Sequence, residues 1–163
     1  MKEIILSSRG FTMVDDDDFE RFGHLSWNPS PRLYTTYVMK SAWDRITSRA
    51  YTLLLHREIM EAPDDVLVDH IDGNGLNNQR SNLRLCDKTL NCANSRFRRD
   101  GRSQFKGVSW CHTTARWRAT IRVRNCQIHI GRYDDDRVAA KAYDKAASSY
   151  FGEFARLNFP EDT

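Results

Sequence analysis

Between positions 116 and 130 the chain alternates with a period of two. In RWRATIRVR, residues Trp117, Ala119, Ile121 and Val123 interleave with Arg116, Arg118, Thr120, Arg122 and Arg124. Successive strand side chains point to opposite faces, so the first set faces a core and the second faces out. QIHIGRY continues the pattern, with Ile128 and Ile130 inward and Gln127 and His129 outward, and FKGVSWCH supplies a preceding strand. DDDRVAAKAYDKAASSYFG then offers acids for a helix N-terminus, a stripe of Val138, Ala142, Ala146 and Tyr150, and Gly152 as a stop. These features predict a three-stranded antiparallel sheet packed on one helix, with its second face free.

That free face is rich in arginine and carries no acid. A solvated face normally mixes signs and favours Lys and Glu, whereas Arg pairs bidentately with phosphate and with guanine edges. Net charge over the 163 residues is only +3, but residues 96–124 hold nine Lys or Arg against one acid, Asp100. A local field of that sign suits a polyanion. Double-stranded DNA is the expected partner, with Arg96, Arg98 and Arg99 lying along backbone phosphates beside the sheet.

Hydrophobic content of 40% and charged content of 29% suit a folded globular chain. The cysteines at 86, 92, 111 and 126 form no C-x-x-C pair and no zinc-finger spacing, so no structural zinc is expected. With no signal-peptide pattern and no membrane-length apolar run, the reading is intracellular, with no membrane partner.

Residues 1–63 read as a β-rich scaffold. EIIL, FTMV and LYTTYVM are strand candidates, NPSP at 28–31 reads as a turn, and YTLLLHREIM as a strand running into a helical turn. The acidic run Asp15 to Asp18 suits the start of a short helix or a solvated surface. His24 and His56 are expected to be structural.

After the break EAPDD, a strand (66–69), a long polar loop, a strand (83–86) and a helix capped by Asp87 make a β–loop–β–α unit. Its chemistry-bearing residues are types that phosphodiester hydrolysis requires. A histidine titrates near neutral pH and suits a general base. A hard divalent cation wants oxygen ligands. Asp69 and His70 at a strand end can reach one cleft, and Asn91 on the following helix can offer an amide oxygen to the same ion.

LLLHREIM, VDHIDGNGLNNQRSNLRLCD and LNCAN resemble the HNH endonucleases of the phage and intron homing type, over about 53–99. The resemblance implies His70 as general base, Asp69 and Asn91 as ligands of one divalent metal (Mg²⁺, or Mn²⁺), and Asn82 as the residue that fixes the loop and orients His70. Asn82 and Asn91 follow His70 by twelve and twenty-one residues. Asn91 stands where the motif's last histidine is named. FKGVSW, RWRATIRV, IHIGRYDDDRVAAKAYDKAASSYFG and ARLNFP, over 105–160, resemble the plant APETALA/ethylene-response-factor DNA-binding domain. That likeness implies a sheet in the major groove, with Lys106, Thr120, Arg122, Gln127 and His129 at contact positions.

The expectation is an α+β chain: a β-rich scaffold (1–63), an HNH ββα-metal core (64–99), a basic linker (100–104) and a sheet–helix DNA-binding module (105–163). It reads as a metal-dependent, site-selective DNA endonuclease of the homing type. The alternative is a DNA-binding regulator with an inactive HNH site. Oligomeric state is left open.

Overall fold

The computed structural model describes residues 1–8, 10–95 and 103–162. Arg96, Arg98 and Arg99 lie outside the described residues. The fold is α+β, with four α-helices and ten strands among the described residues, the strands paired in small antiparallel sheets. All four cysteines are free, and no helix among the described residues is long and apolar enough to cross a membrane. The chain divides into two compact units, Met1–Asp87 and Lys88–Thr163.

In the first unit, β1 (Lys2–Ile5) and β2 (Phe11–Val14) form a hairpin, followed by α1 (Asp16–Phe22). The acidic run does more than favour a helix start. Asp18 is fully buried and accepts two bonds from the Arg80 guanidinium, both 2.8 Å, while Asp15 accepts from the Arg80 backbone N–H at 2.9 Å. These acids fasten the N-terminal region to the far end of the polar loop.

The next sheet has the order β3 (Asn28–Pro31), β4 (Thr36–Asp44), β5 (Arg49–Leu54). Residues 28–31, expected as a turn, are therefore a strand. Proline lacks an N–H and is tolerated on an edge, which is where β3 lies. The strand expected at 33–39 begins at Thr36 and extends to Asp44. Next, α2 (Leu55–Met60) continues directly from β5. The final pair, β6 (Leu67–His70) and β7 (Leu83–Cys86), is antiparallel. Ile4, Leu6, Val14, Trp27, Val38, Leu55, Ile59, Val68 and Leu83 make one core. The loop between β6 and β7 is tied to β2 by Met13 N–H to Leu76 O (2.9 Å) and Asn78 N–H to Met13 O (2.8 Å).

In the second unit, α3 (Lys88–Asn94) precedes β8 (Val108–Cys111), β9 (Arg116–Val123) and β10 (Cys126–Tyr133), in spatial order β10-β9-β8, and α4 (Asp136–Phe151). The division after Asp87 falls inside the segment 64–99. Ala93 of α3 packs with Ile121, Tyr143, Ala147 and Phe151, so that helix shares the second unit's core. Asp135 caps α4 by accepting from Arg137 and Val138 N–H, and Gly152 ends it at φ 53°.

The buried stripe of α4 differs from the expected one. Ala139, Ala140, Tyr143, Ala147 and Phe151 face inward, while Val138 and Tyr150 are about half exposed. Apolar residues occupy so much of this helix that periodicity alone did not select the face. Gly107 lies close under the inward-facing Tyr143: a Cβ there would lie 2.0 Å from its ring. A buried Asp144 then receives the backbone N–H groups of Asn158 and Phe159 and fixes the chain end.

Candidate active site

Asp69 and His70 close β6, and both are buried. Register places Asp69 opposite Arg84. That guanidinium donates to one Asp69 oxygen from Nε (3.1 Å) and from a terminal nitrogen (2.9 Å). The His70 ring packs against two others: Tyr37 at 5.8 Å and His56, edge-on, at 5.1 Å between centroids.

The His70 tautomer follows from its neighbours. The Thr12 hydroxyl donates to Leu76 O at 2.8 Å, so it accepts from the Asn78 amide nitrogen at 2.7 Å. The same nitrogen donates to Gly75 O at 3.2 Å. Asn78 is fully buried and its Oδ1 therefore faces His70 Nε2, 3.2 Å away. An oxygen there requires Nε2 to carry the proton and makes Nδ1 the basic nitrogen. Burial pushes the His70 pKa down, against the Asn78 bond and the charges of Asp72 and Asp69.

Asn82 organises the loop. Its Oδ1 accepts the Asp72 N–H (3.0 Å), and its amide nitrogen donates to the Asp72 carboxylate (3.0 Å) and to Asn77 O (2.8 Å). Its own carbonyl accepts the Ile71 N–H at 2.9 Å. The chain leaving His70 is thus held by one buried side chain. Burial raises the Asp72 pKa, but the Asn74 N–H, the Asn77 and Asn82 amides and His70 outweigh it and hold it low.

His56, expected to be structural, belongs to this cluster. It sits in the first turn of α2, and burial, with His70 and Arg57 nearby, pushes its pKa down to about 3. Its Nδ1 has no hydrogen-bond partner among the described residues. The only sequence signal was its presence in LLLHREIM. Asn91 lies on α3, in the second unit. Among the described residues no group of three or more His, Cys, Asp or Glu gathers as a metal cage.

On the second unit's sheet, cross-strand pairs put Thr120 beside His129, Arg122 beside Gln127 and Arg118 beside Arg132. Arg122, Arg124, Gln127 and His129 are exposed. Arg116 pairs with Asp134 at 2.9 Å, Arg118 is half-buried beside Ser109, and Thr120 accepts from Gln127 at 3.3 Å. Arg132 was missed because a bulge between His129 and Gly131 shifts the alternation by one residue. Gly131 inside a strand was the available signal.

Lys106 is engaged elsewhere. Its ammonium donates to Ala93 O and to Ser95 O (2.9 Å) at the end of α3, and burial lowers its pKa to about 8.

No family model matches the chain. An uncharacterized HNH endonuclease, L560 of Acanthamoeba polyphaga mimivirus, is 38% identical over 109 residues, 66% of this chain and 54% of that protein. The chain thus spans about half of that relative. Protein 3.8 of Escherichia phage T7 is 33% identical over 107 residues, 63% of this chain and 88% of that protein. APETALA2-like protein 2 of Oryza sativa subsp. indica is 39% identical over 57 residues, 35% of this chain and 13% of that protein. The chain is thus matched to phage T7 Protein 3.8 over most of that protein's length, and its likeness to the mimivirus protein supports a nuclease of the HNH type.

Proposed function

We propose that the chain is a metal-dependent, site-selective DNA endonuclease of the homing type, hydrolysing phosphodiester bonds in double-stranded DNA inside a phage-infected or intron-bearing cell. The observation that carries this reading is His70. It is a buried imidazole with a lowered pKa and a proton fixed on Nε2, beside a carboxylate. A base must be neutral at working pH and must present a lone pair. In this reading His70 is that base, with Nδ1 as the atom that takes the proton from water.

The donor chemistry fits a hard divalent cation such as Mg²⁺ or Mn²⁺. Asp69 would supply carboxylate oxygen and Asn91, as the motif's spacing implies, amide oxygen. Mg²⁺ commonly takes one or two protein ligands and fills its shell with water and substrate phosphate oxygens, so a three-residue cage is not required. When bound, the cation supplies positive charge to the scissile phosphate and the departing oxygen. Asn82 and Asn78 hold the imidazole in place, and the arginine face holds backbone phosphates.

With Mg²⁺ the protein is expected to nick or cut duplex DNA, and chelation to stop it. His70→Ala should abolish cutting and leave duplex affinity nearly unchanged. Equal cutting by that variant would refute the base assignment. One observation favours the alternative, a DNA-binding regulator with an inactive site: the Arg84 guanidinium occupies an oxygen of Asp69. Duplex binding by the wild-type chain with no cutting under Mg²⁺ or Mn²⁺ would select it.

A further inference from the structure

The second unit contains a cavity of 630 Å³, within the usual range of about 300–1,000 Å³ for small-ligand sites. It arises because β8 pairs with β9 only over Arg116–Ala119. Beyond that stretch, Ala93 of α3 and Ile121 of β9 belong to one apolar cluster and both line the cavity. Lys88, Arg122 and Arg124 are exposed and form the rim. Ile121, Tyr143 and Phe151 are buried and form the floor. Among the described residues no carboxylate lines the cavity. Lys106 stands behind with its ammonium committed to α3 carbonyls. Among the described residues, Lys88, Arg122 and Arg124 make no ion pair.

A second observation concerns Arg124. With Asn125 it forms the two-residue turn between β9 and β10, at φ 45° and 69°. Two positive φ values in such a turn favour Asn and Gly. Arginine is a poor choice for the turn, which leaves its charge as the reason for its presence.

We propose that this cavity takes one unstacked nucleotide of a DNA strand, its phosphate on Lys88, Arg122 and Arg124 and its base on the apolar floor. The proposal rests on the reading that the chain binds DNA. A phosphate alone would not use the floor, and an apolar ligand would not use the rim. Charge-assisted bonds to phosphate are the strong kind, and loss of two cations should cost about tenfold or more in affinity.

The test titrates the full chain with a deoxynucleoside 5′-monophosphate, with the matching nucleoside and inorganic phosphate as controls. The nucleotide should bind about tenfold tighter than either control. Lys88→Gln with Arg124→Asn should remove that advantage, with a thermal midpoint unchanged or raised, since Asn suits the turn. Equal binding of the three probes, or an unaffected double variant, would overturn the proposal. Duplex cutting without nucleotide binding sinks the cavity and spares the nuclease reading. Nucleotide binding without duplex binding sinks the DNA reading and leaves the cavity a nucleotide site.

Discussion

Asn78 determines which nitrogen of His70 can accept a proton, because its amide orientation is dictated by Thr12 and Gly75. Asp69, His70 and Asn82 were legible in the sequence because they lie in one contiguous string whose spacing reflects local geometry. Asn78 and His56 were not. Asn78 acts through a strand 66 residues earlier, and His56 through packing of α2 against β6. His56 gives a direct prediction. Its folded pKa, about 3, lies below its ordinary 6.5. The unfolded chain therefore takes the proton first, and stability is full above pH 6.5 and falls as pH drops toward 3. One such group contributes a slope of at most about 1.4 kcal/mol per pH unit. Urea denaturation at steps between pH 7 and 4 should show that decline, and His56→Phe should flatten it by up to this amount. An unchanged slope would mean that His56 takes up its proton in the folded state.

At the scale of elements, the alternation of β9 and the first half of β10 was readable, and so was the α4 cap. Its buried face was not, since apolar residues lie all round the helix and contacts such as Gly107 with Tyr143 are made to a segment distant in sequence. The bulge likewise moved Arg132 onto the arginine face. Lys106 was expected there, yet it terminates α3 by binding its last carbonyls. The two lysine and arginine positions therefore predict opposite behaviour. Lys106→Met should destabilise the chain by about 1–2 kcal/mol, seen as a lower thermal midpoint, while the log–log salt slope of duplex binding stays fixed. Arg132→Ala should leave stability nearly unchanged and reduce that slope by about 0.9, the value of one released phosphate contact. A slope change with Lys106→Met would restore it to the DNA surface.

Over the whole molecule the charge is divided as the packing is. Residues 88–163 hold fifteen Lys and Arg against eight acids, and residues 1–87 ten against fourteen. The second unit is thus the one whose charge would attract a polyanion, while the buried imidazole belongs to the first. If the first unit cuts DNA as proposed, its net acidic charge gives it little intrinsic attraction for phosphate, which is the situation in which a divalent cation contributes most. The HNH string itself crosses the division, with Asp69, His70 and Asn82 before it and Asn91 after it. The sequence could not show this, since the motif's spacing is the same whichever core α3 joins. Asn91 is half-exposed, so replacing it should change chemistry more than folding. An amide oxygen is a weaker ligand for a hard cation than a carboxylate. Asn91→Asp should therefore lower the Mg²⁺ concentration for half-maximal cutting by about threefold or more, and Asn91→Ala should raise it, with duplex affinity measured without Mg²⁺ little changed by the alanine. If both variants keep the wild-type Mg²⁺ requirement, Asn91 holds no metal, and the cation must rest on Asp69 and the substrate alone.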